Sequence, residues 1–551
     1  MFRVVVVLVL ALLIGLPLVM RESDGPRAGD ARRLVVLSPH NEQIRKEFGA
    51  AFRRWHAERF PNEPAVEVVW NTPGGTSDIR RMLVAQHRAA LRDGRAPGGN
   101  ADILFGGGSY EFSELRKPLT EDPASTVLAP IAFDADFLAS VYGAENRIGD
   151  DLLFDPEGFW FGAALSGFGI VYNRELLRDL GVPEPERWSD LADPRLLGAV
   201  SLVNPAQSGS ITTAFEAILL RRGWEEGWRI LRRIAANART FSGTSARGPI
   251  DVSSGEAAAG ICIDFYGRFE AQAVLAAGGG DRVGYIDPAG ETRIDADPVA
   301  MLRGAPSPDL SRRFVEFVLS TEGQALWQFQ SRSAVRARDR SAASADGAGI
   351  GASEFDLLGP ERFELRRMPI RRDLYTSPEA FRRFVDAVDP YAIATAVAAP
   401  DRNVRSFIVP LFSAMAIDEH ARLRRAWRAI VEHPSYPTPV PGERPPIVVA
   451  SDVADPELAE MLRLFDELPA VRAPERAVID LATTEGRALA RRGWLGSAPA
   501  WADQGLWPRE TAPADELRRE FRAFFVERYD RIERHTRRPL RARNLGGRPE
   551  R

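Results

Sequence analysis

The stretch "AVSLVNPAQSGSITTAFEAILL", residues 199–220, combines a short apolar run, a small polar junction and an amphipathic helix pattern. The run at 200–203 is typical of a buried strand, and the helix pattern follows from apolar residues at helical spacing: Ile211, Ala214, Phe215, Ile218 and Leu219. Ser208-Gly209-Ser210 opens the helix. A serine there caps the helix, while a second serine and a glycine leave N–H donors open to an anion. Both interpretations stay open at this point.

The same alternation of strand and helix patterns continues from Leu34 to about Gln330. Strand patterns occur at 34–38, 66–71, 102–108, 159–173, 199–205, 259–267 and 282–288. Alternating elements with short links predict an α/β fold with open, mostly parallel sheets covered by helices. In such sheets ligands bind beyond the carboxyl ends of the strands.

The two ends of the chain have a different character. Residues 4–20 form an uncharged apolar run after Arg3, which predicts a signal peptide or membrane anchor within 1–20 and export to the periplasm. Residues 331–533 predict a mainly helical C-terminal extension, with a low-apolar insertion at 336–353. A basic tail follows at 534–551.

Composition and missing motifs exclude several classes of protein. A chain of 551 residues with 45% hydrophobic residues is globular, and its formal net charge of −4 does not point to nucleic acid. The single cysteine, Cys262, excludes an intrachain disulfide and a zinc site built on several thiolates. The sequence contains no H-E-x-x-H, P-loop or G-x-S-x-G motif, so we expect a protein that is not an enzyme.

Three strand-to-helix junctions share one design rich in small polar donors: "SPHNEQ" (38–43), "PGGTSD" (73–78) and "AQSGS" (206–210). Parallel sheets place such junctions on one rim, where several N–H groups and hydroxyls would meet an anion. The predicted ligand-binding residues at these junctions are Ser38, His40, Asn41, Thr76, Ser77, Ser208, Gly209 and Ser210.

These junctions, together with "ADILFGGG" (101–108), "GFGIVYNRELLRDLGVPEPERWSDLADPRLLGAVSLVNPAQSGS" (167–210) and "FVEFVLSTEGQALW" (314–327), resemble family 1 extracellular solute-binding proteins of ABC importers. The resemblance is closest to the group that binds ferric iron, phosphonates and polyamines. It implies a two-lobed, type II-like periplasmic-binding-protein fold that closes on its ligand by hinge motion. Lobe 1 would comprise 33–165 and 284–330, and lobe 2 would comprise 166–283.

The resemblance also implies further site residues. Iron-binding members ligate the metal with two adjacent tyrosines, but this chain has Asp264-Phe265-Tyr266 there, so Tyr266 alone remains. His40 is the second candidate ligand if ferric iron is the transported solute. Because one tyrosine is missing, an organic or oxyanion solute is favoured, with no resident cofactor. Asp264 would face a cationic amine or cap a turn, and Ser166 would face the ligand from the crossover.

The sequence therefore predicts a monomeric periplasmic substrate-binding component that delivers a small anionic solute to an ABC transporter permease. The solute would be a phosphonate, a phosphate ester or an iron–anion complex. Two other classes stay open: a secreted hydrolase acting on a small substrate, and a ligand sensor that residues 4–20 anchor in the membrane.

Overall fold

A computed structural model describes residues 31–336, 354–394, 401–473, 477–495 and 513–536. The predicted apolar run 4–20, residues 337–353 of the predicted insertion and residues 537–551 of the basic tail lie outside the described residues. Among the described helices, none combines the length and apolar character needed to span a bilayer.

Two large sheets form the α/β part of the chain. The strands of the first sheet are β1 (Arg32–Leu37), β2 (Val66–Asn71), β3 (Ile103–Phe105), β4 (Leu128–Ala129), β7 (Phe161–Ser166), β13 (Asp295–Leu302) and β14 (Met368–Pro369). Those of the second are β8 (Phe168–Asn173), β9 (Val200–Val203), β10 (Ala238–Ser242), β11 (Ala259–Ile263) and β12 (Val283–Ile286). A small hairpin pairs β5 (Arg147–Ile148) with β6 (Asp151–Leu152). We call the parts around the first and second sheets lobe 1 and lobe 2.

Both sheets follow one strand order. The first runs β14-β7-β13-β3-β1-β2, and the second runs β10-β9-β11-β8-β12. In each sheet an antiparallel strand, β13 or β8, separates the third parallel strand from the fourth. In the first sheet β14 adds a further antiparallel strand at the edge beside β7. This topology confirms the predicted two-lobed, type II-like α/β fold.

Helices cover both sheets. Lobe 1 carries Glu42–Arg59, Thr76–Arg92, Ser109–Leu115, Ala135–Tyr142, Pro308–Leu319 and Thr321–Gln328, and lobe 2 carries Arg174–Asp179, Gly209–Arg222, Trp224–Asn237, Arg247–Ser253 and Asp264–Ala276. The predicted strand 259–267 ends earlier, at Ile263, and a helix begins at Asp264. Strands β10 and β13 have no counterpart among the strand patterns of the sequence.

Within residues 31–336 the chain crosses between the lobes twice, once at Gly167 and once between β12 and β13. Thr292 ties the two crossings together, because its hydroxyl donates to the Phe168 carbonyl (2.6 Å) and accepts from the Phe168 N–H (3.2 Å). Gly167 packs so closely that a Cβ there would lie 3.0 Å from Asp287 Oδ1. The crossings therefore form one narrow, hydrogen-bonded connection.

The C-terminal region is divided between the lobes, whereas the sequence predicts one mainly helical extension. Its first part, 354–394, packs on lobe 1, where β14 pairs with β7. The buried Glu47 carboxylate holds this part by accepting the N–H groups of Glu361 (2.7 Å), Arg362 (2.9 Å) and Phe363 (2.8 Å).

The described residues of the second part, 401–473, 477–495 and 513–536, are mainly helical and pack on lobe 2. Its longer helices are Arg402–Phe412, His420–Val431, Pro456–Asp466, Thr484–Ala490 and Pro513–Thr536, and β15 (Val471–Arg472) pairs with β16 (Val478–Ile479). Buried polar contacts fix the docking: Arg233 pairs with Asp466 (2.6 Å), and Trp427 Nε1 donates to Asn237 Oδ1 (3.1 Å).

Glu47→Gln should lower the free energy of unfolding by about 1–3 kcal/mol, because three charge-assisted hydrogen bonds from backbone N–H groups to the buried carboxylate would become neutral ones. Glu58→Gln is the matched control, since Glu58 lies exposed on the same helix and should change stability by no more than about 0.5 kcal/mol. Urea unfolding measures both. Equal stabilities for the two variants would contradict the anchoring role of Glu47.

Candidate functional site

A cavity of about 240 Å³ lies between the two lobes at the ends of their strands. Loops that follow β1, β2 and β3 approach it from lobe 1, and loops that follow β9 and β10 approach it from lobe 2. The predicted site residues that line it are His40, Thr76, Ser166, Ser208, Ser210 and Tyr266. The structure thus brings the three predicted junctions together around one space.

Glycines after β3 allow the lobe 1 loops to pack closely beside the cavity. Gly106 and Gly107 have φ of +100° and +127°, in the region that disfavours side chains. A Cβ on Gly106 would lie 2.5 Å from His40 Nε2, and one on Gly107 would lie 2.3 Å from Thr76 Cγ2. Larger residues at these positions would displace cavity-lining side chains.

The junction that opens the helix Gly209–Arg222 acts as a cap and also presents donors. Ser208 Oγ accepts from the Ile211 N–H (3.4 Å) and shares a hydrogen bond with Ser245 Oγ (2.6 Å). The N–H groups of Gly209 and Ser210 have no acceptor within the described part of the chain. The cap and the predicted open donors are therefore present together.

Arg367 forms a buried part of the cavity wall, and sequence reasoning did not identify it. Its guanidinium donates to His40 Nε2 (2.8 Å) and Ser166 Oγ (2.6 Å) and forms an ion pair with Asp297. It also lies 4.4 Å from the centre of the Phe265 ring of lobe 2. Arg367 therefore connects lobe 1, lobe 2 and the C-terminal region.

Two partners of Arg367, His40 and Asp297, have pKa values that are shifted from their ordinary values. Burial lowers the pKa of His40, so the ring is neutral and can accept the hydrogen bond from Arg367. Burial opposes ionisation of Asp297, but the charge of Arg367 and the hydrogen bond from the Gly107 N–H outweigh it and lower the pKa of Asp297. The Arg367 charge is thus compensated within the wall itself.

Asp295 adds an acidic group to the same cavity. Ser109 Oγ donates to its Oδ1 at 2.5 Å, and its Oδ2 accepts no hydrogen bond among the described residues. Burial raises the pKa of Asp295, and the nearby charge of Arg293 opposes this. A ligand hydroxyl or amine could donate to the open oxygen.

Further lining residues come from the turn after β10, at Gly243–Ala246. The signal for this turn was the small polar run "SGTSARG" (242–248), which resembles the other junctions. It was missed because β10 itself carries no clear strand pattern. Asp295, Asp297 and Arg367 had no comparable local signal.

Ser38 and Asn41 do not line the cavity but shape the loop that presents His40. Ser38 Oγ accepts from the His40 N–H (3.1 Å). Asn41 caps the helix Glu42–Arg59 by accepting from the Ile44 N–H (3.0 Å).

Ser77 and Gly209 meet Glu111 of lobe 1 instead of the cavity. Ser77 Oγ donates to Glu111 Oε1 (3.0 Å). A Cβ on Gly209 would lie 3.2 Å from the same oxygen, so the glycine permits close approach of Glu111 rather than of a ligand. Gly209, a predicted ligand-binding residue, therefore lies outside the cavity wall.

Asp264 lies beneath the crossover and does not line the cavity. Its N–H donates to the Gly167 carbonyl (3.0 Å), its Oδ1 accepts from the Phe265 N–H (2.8 Å), and its buried Oδ2 has no partner among the described residues. Burial raises the pKa of Asp264 to about 7, with Arg268 opposing the shift and Asp287 adding to it.

The two candidate ligands for ferric iron, His40 and Tyr266, both line the cavity. The hydrogen bonding of His40 and the pKa of Tyr266 do not favour metal binding. Arg367 engages His40 Nε2, and burial raises the pKa of Tyr266, which disfavours the tyrosinate that ferric iron needs. The described residues contain no group of three or more His, Cys, Asp or Glu side chains that could hold a metal ion.

Part of this chain is similar in sequence to known proteins. Residues 139–348 match the family model described as a bacterial extracellular solute-binding protein, which confirms the family resemblance for that segment. The phosphoglycerate transport regulatory protein PgtC of Salmonella typhimurium is 30% identical over 161 residues, which are 29% of this chain and 38% of that relative. The match therefore spans well under half of PgtC.

Two solved structures are similar at lower identity. The periplasmic binding protein AfuA from Actinobacillus pleuropneumoniae, with fructose-6-phosphate bound, is 18% identical with a TM-score of 0.46, covering 72% of this chain and 97% of its own. The substrate-binding protein of an ABC transporter from Agrobacterium tumefaciens is 14% identical with a TM-score of 0.48, covering 71% and 96%.

Asp264→Asn should stabilise the protein increasingly as the pH rises. The pKa of Asp264 in the folded protein is about 7, whereas that of an unfolded aspartate is about 3.9. Between these two pH values the unfolded chain binds fewer protons than the folded protein. The stability of the wild type therefore falls as the pH rises through this range. The gap in unfolding free energy between variant and wild type should widen by on the order of 2–4 kcal/mol from pH 4 to pH 8.

Denaturant unfolding at several pH values measures this gap, with Asp281→Asn as the control because Asp281 is exposed. A constant gap for Asp264→Asn across the pH range would contradict the burial of an ionisable carboxyl at the crossover.

Proposed function

We propose that this protein is the periplasmic substrate-binding component of an ABC importer and that the inter-lobe cavity holds a small organic anion. A phosphate ester or a phosphonate is the solute class that fits best. The observation that carries the proposal is the convergence of glycine- and serine-rich loops from both lobes on one cavity, with the open N–H group of Ser210 at a helix start.

The donors favour an anion although the wall contains no uncompensated cation. A helix N-terminus carries a partial positive charge and unpaired N–H groups, which together bind phosphate and sulfate groups. Hydrogen bonds with a charged partner contribute about 1.5–3 kcal/mol each, so about four would account for the roughly 8 kcal/mol of a micromolar complex before entropy costs.

Asp295 supports an organic anion over inorganic phosphate. Its open oxygen can accept a hydrogen bond, which a hydroxyl or amine on the carbon skeleton of the solute would donate. The name of the relative PgtC, a phosphoglycerate transport regulatory protein, agrees with a phosphorylated, hydroxylated solute of this kind.

Binding would proceed by closure of the lobes. Because each lobe contributes loops to the cavity, a solute that contacts both would stabilise the closed arrangement, which a membrane permease would then recognise. The paired crossings at Gly167 and Thr292 form the hinge in this scheme.

A second candidate is a membrane-anchored ligand sensor, favoured by the regulatory role in the name of PgtC and by the apolar run at 4–20. The two candidates share the cavity and differ in what the closed form contacts. Cell fractionation separates them: release of the protein with the soluble periplasm favours the importer component, and retention with the membrane favours the sensor.

Ser210→Ala should weaken binding of 3-phosphoglycerate, our probe for a phosphorylated hydroxy acid, by about 1–3 kcal/mol, because one hydrogen bond to the anion is lost. Its stability should be unchanged, since no described residue bonds the Ser210 hydroxyl. Ser320→Ala is the control: Ser320 caps the helix Thr321–Gln328 away from the cavity, so it should cost about 1 kcal/mol of stability and no affinity.

Calorimetric titration and thermal melts test both variants, with inorganic phosphate and ferric citrate as comparison ligands. Wild-type affinity in Ser210→Ala would contradict an anion at this helix start. Tight binding of ferric citrate, with no binding of the phosphorylated probe, would replace the proposed solute class by an iron complex.

A further inference from the structure

The helix Arg402–Phe412 belongs to the C-terminal part that packs on lobe 2, yet two of its arginines also reach lobe 1. They contact the short helix Ser109–Leu115, which follows Gly107 and Gly108 of the cavity wall. Contacts from this extension therefore bridge the lobes beside the cleft.

Arg405 is fixed to lobe 2 by buried contacts. Its guanidinium donates to Glu216 Oε2 (2.8 Å), to Thr213 Oγ1 (3.0 Å) and to the Gly209 carbonyl (3.4 Å). Arg405 is 5% exposed and Glu216 is fully buried, so this ion pair is shielded from solvent. All three partners belong to the helix whose start faces the cavity.

The same guanidinium meets lobe 1. Its central carbon lies 4.0 Å from the centre of the Tyr110 ring, in the geometry of a cation–π contact. One turn away, Arg402 Nη2 pairs with Glu114 Oε2 at 3.2 Å. Both lobe 1 partners, Tyr110 and Glu114, lie on the helix Ser109–Leu115.

We propose that Arg402 and Arg405 form a latch, built by the C-terminal extension, that holds the lobes together around the cleft and positions the opening turn of the helix Gly209–Arg222. Arg405 acts here as a positioning residue. Opening of the cleft would separate the two helices that the latch joins, and both arginines would lose their lobe 1 partners at once.

The latch adds a further element to the proposed function. Its role in solute release rests on that proposed function. The latch itself is a statement about lobe separation, which can be measured with no solute present. A protein that binds none of the probes above could still show the latch, so the two proposals fail separately.

Glu114→Arg should shift the lobes apart, because it places a like charge opposite Arg402. Spin labels on Arg88→Cys in lobe 1 and Ala277→Cys in lobe 2, both exposed positions, report the separation by pulsed dipolar spectroscopy of the full chain. The single native cysteine, Cys262, is buried and does not take up the label. Longer distances are expected in Glu114→Arg, and the swap Glu114→Arg with Arg402→Glu should restore the wild-type distribution.

Glu533→Arg is the matched control, because it makes the same charge reversal opposite Arg425, with both residues in the extension. It should leave the distance between the spin labels unchanged. Tyr110→Leu is the second variant, because it removes the aromatic face while Glu216 keeps Arg405. It too should lengthen the distances. Wild-type distances in both Glu114→Arg and Tyr110→Leu, or a swap that fails to restore the distribution, would overturn the latch.

Discussion

One buried guanidinium, that of Arg367, is the constraint around which the binding region is organised. It joins the loop after β1 through His40, the end of β7 through Ser166, and β13 through Asp297. Burying an unpaired charge has a very large desolvation cost. Removing one partner of a buried ion pair lowers stability by about 3–5 kcal/mol. Arg367 and Asp297 can therefore be buried only together. The wall of the cleft and the docking of the C-terminal region are therefore one structural unit.

This arrangement explains how a cavity without an excess cation can suit an anion. The arginine charge holds the wall together, so in the proposed function the anion would be recognised by backbone N–H groups and hydroxyls at the helix starts. Such neutral donors are rigid because each belongs to a strand-to-helix junction. The open oxygen of Asp295 can accept a hydrogen bond, which favours solutes that also carry a hydroxyl or an amine.

Local patterns in the sequence predicted the fold and the junctions well. The apolar run 200–203 and the helix pattern beginning at Ile211 correspond to β9 and the helix Gly209–Arg222, because both signals depend only on neighbouring residues. Arg367 could not be predicted in this way, since its partners lie up to 327 residues away along the chain. The same holds for Gly209, whose close neighbour Glu111 comes from the other lobe and is set by how the lobes meet.

The C-terminal region is the largest difference between this structure and the two-lobed hinge protein that the sequence predicts. It adds a strand to lobe 1, covers lobe 2 with helices and contacts both lobes beside the cleft, so the proposed closure on a solute and its release would involve it directly. The central claim remains that the cleft holds a small organic anion, and native mass spectrometry of the protein purified from its source tests this most directly. The account predicts a bound organic acid carrying phosphorus, lost on unfolding. A bound mass that corresponds to iron without such an acid would contradict it.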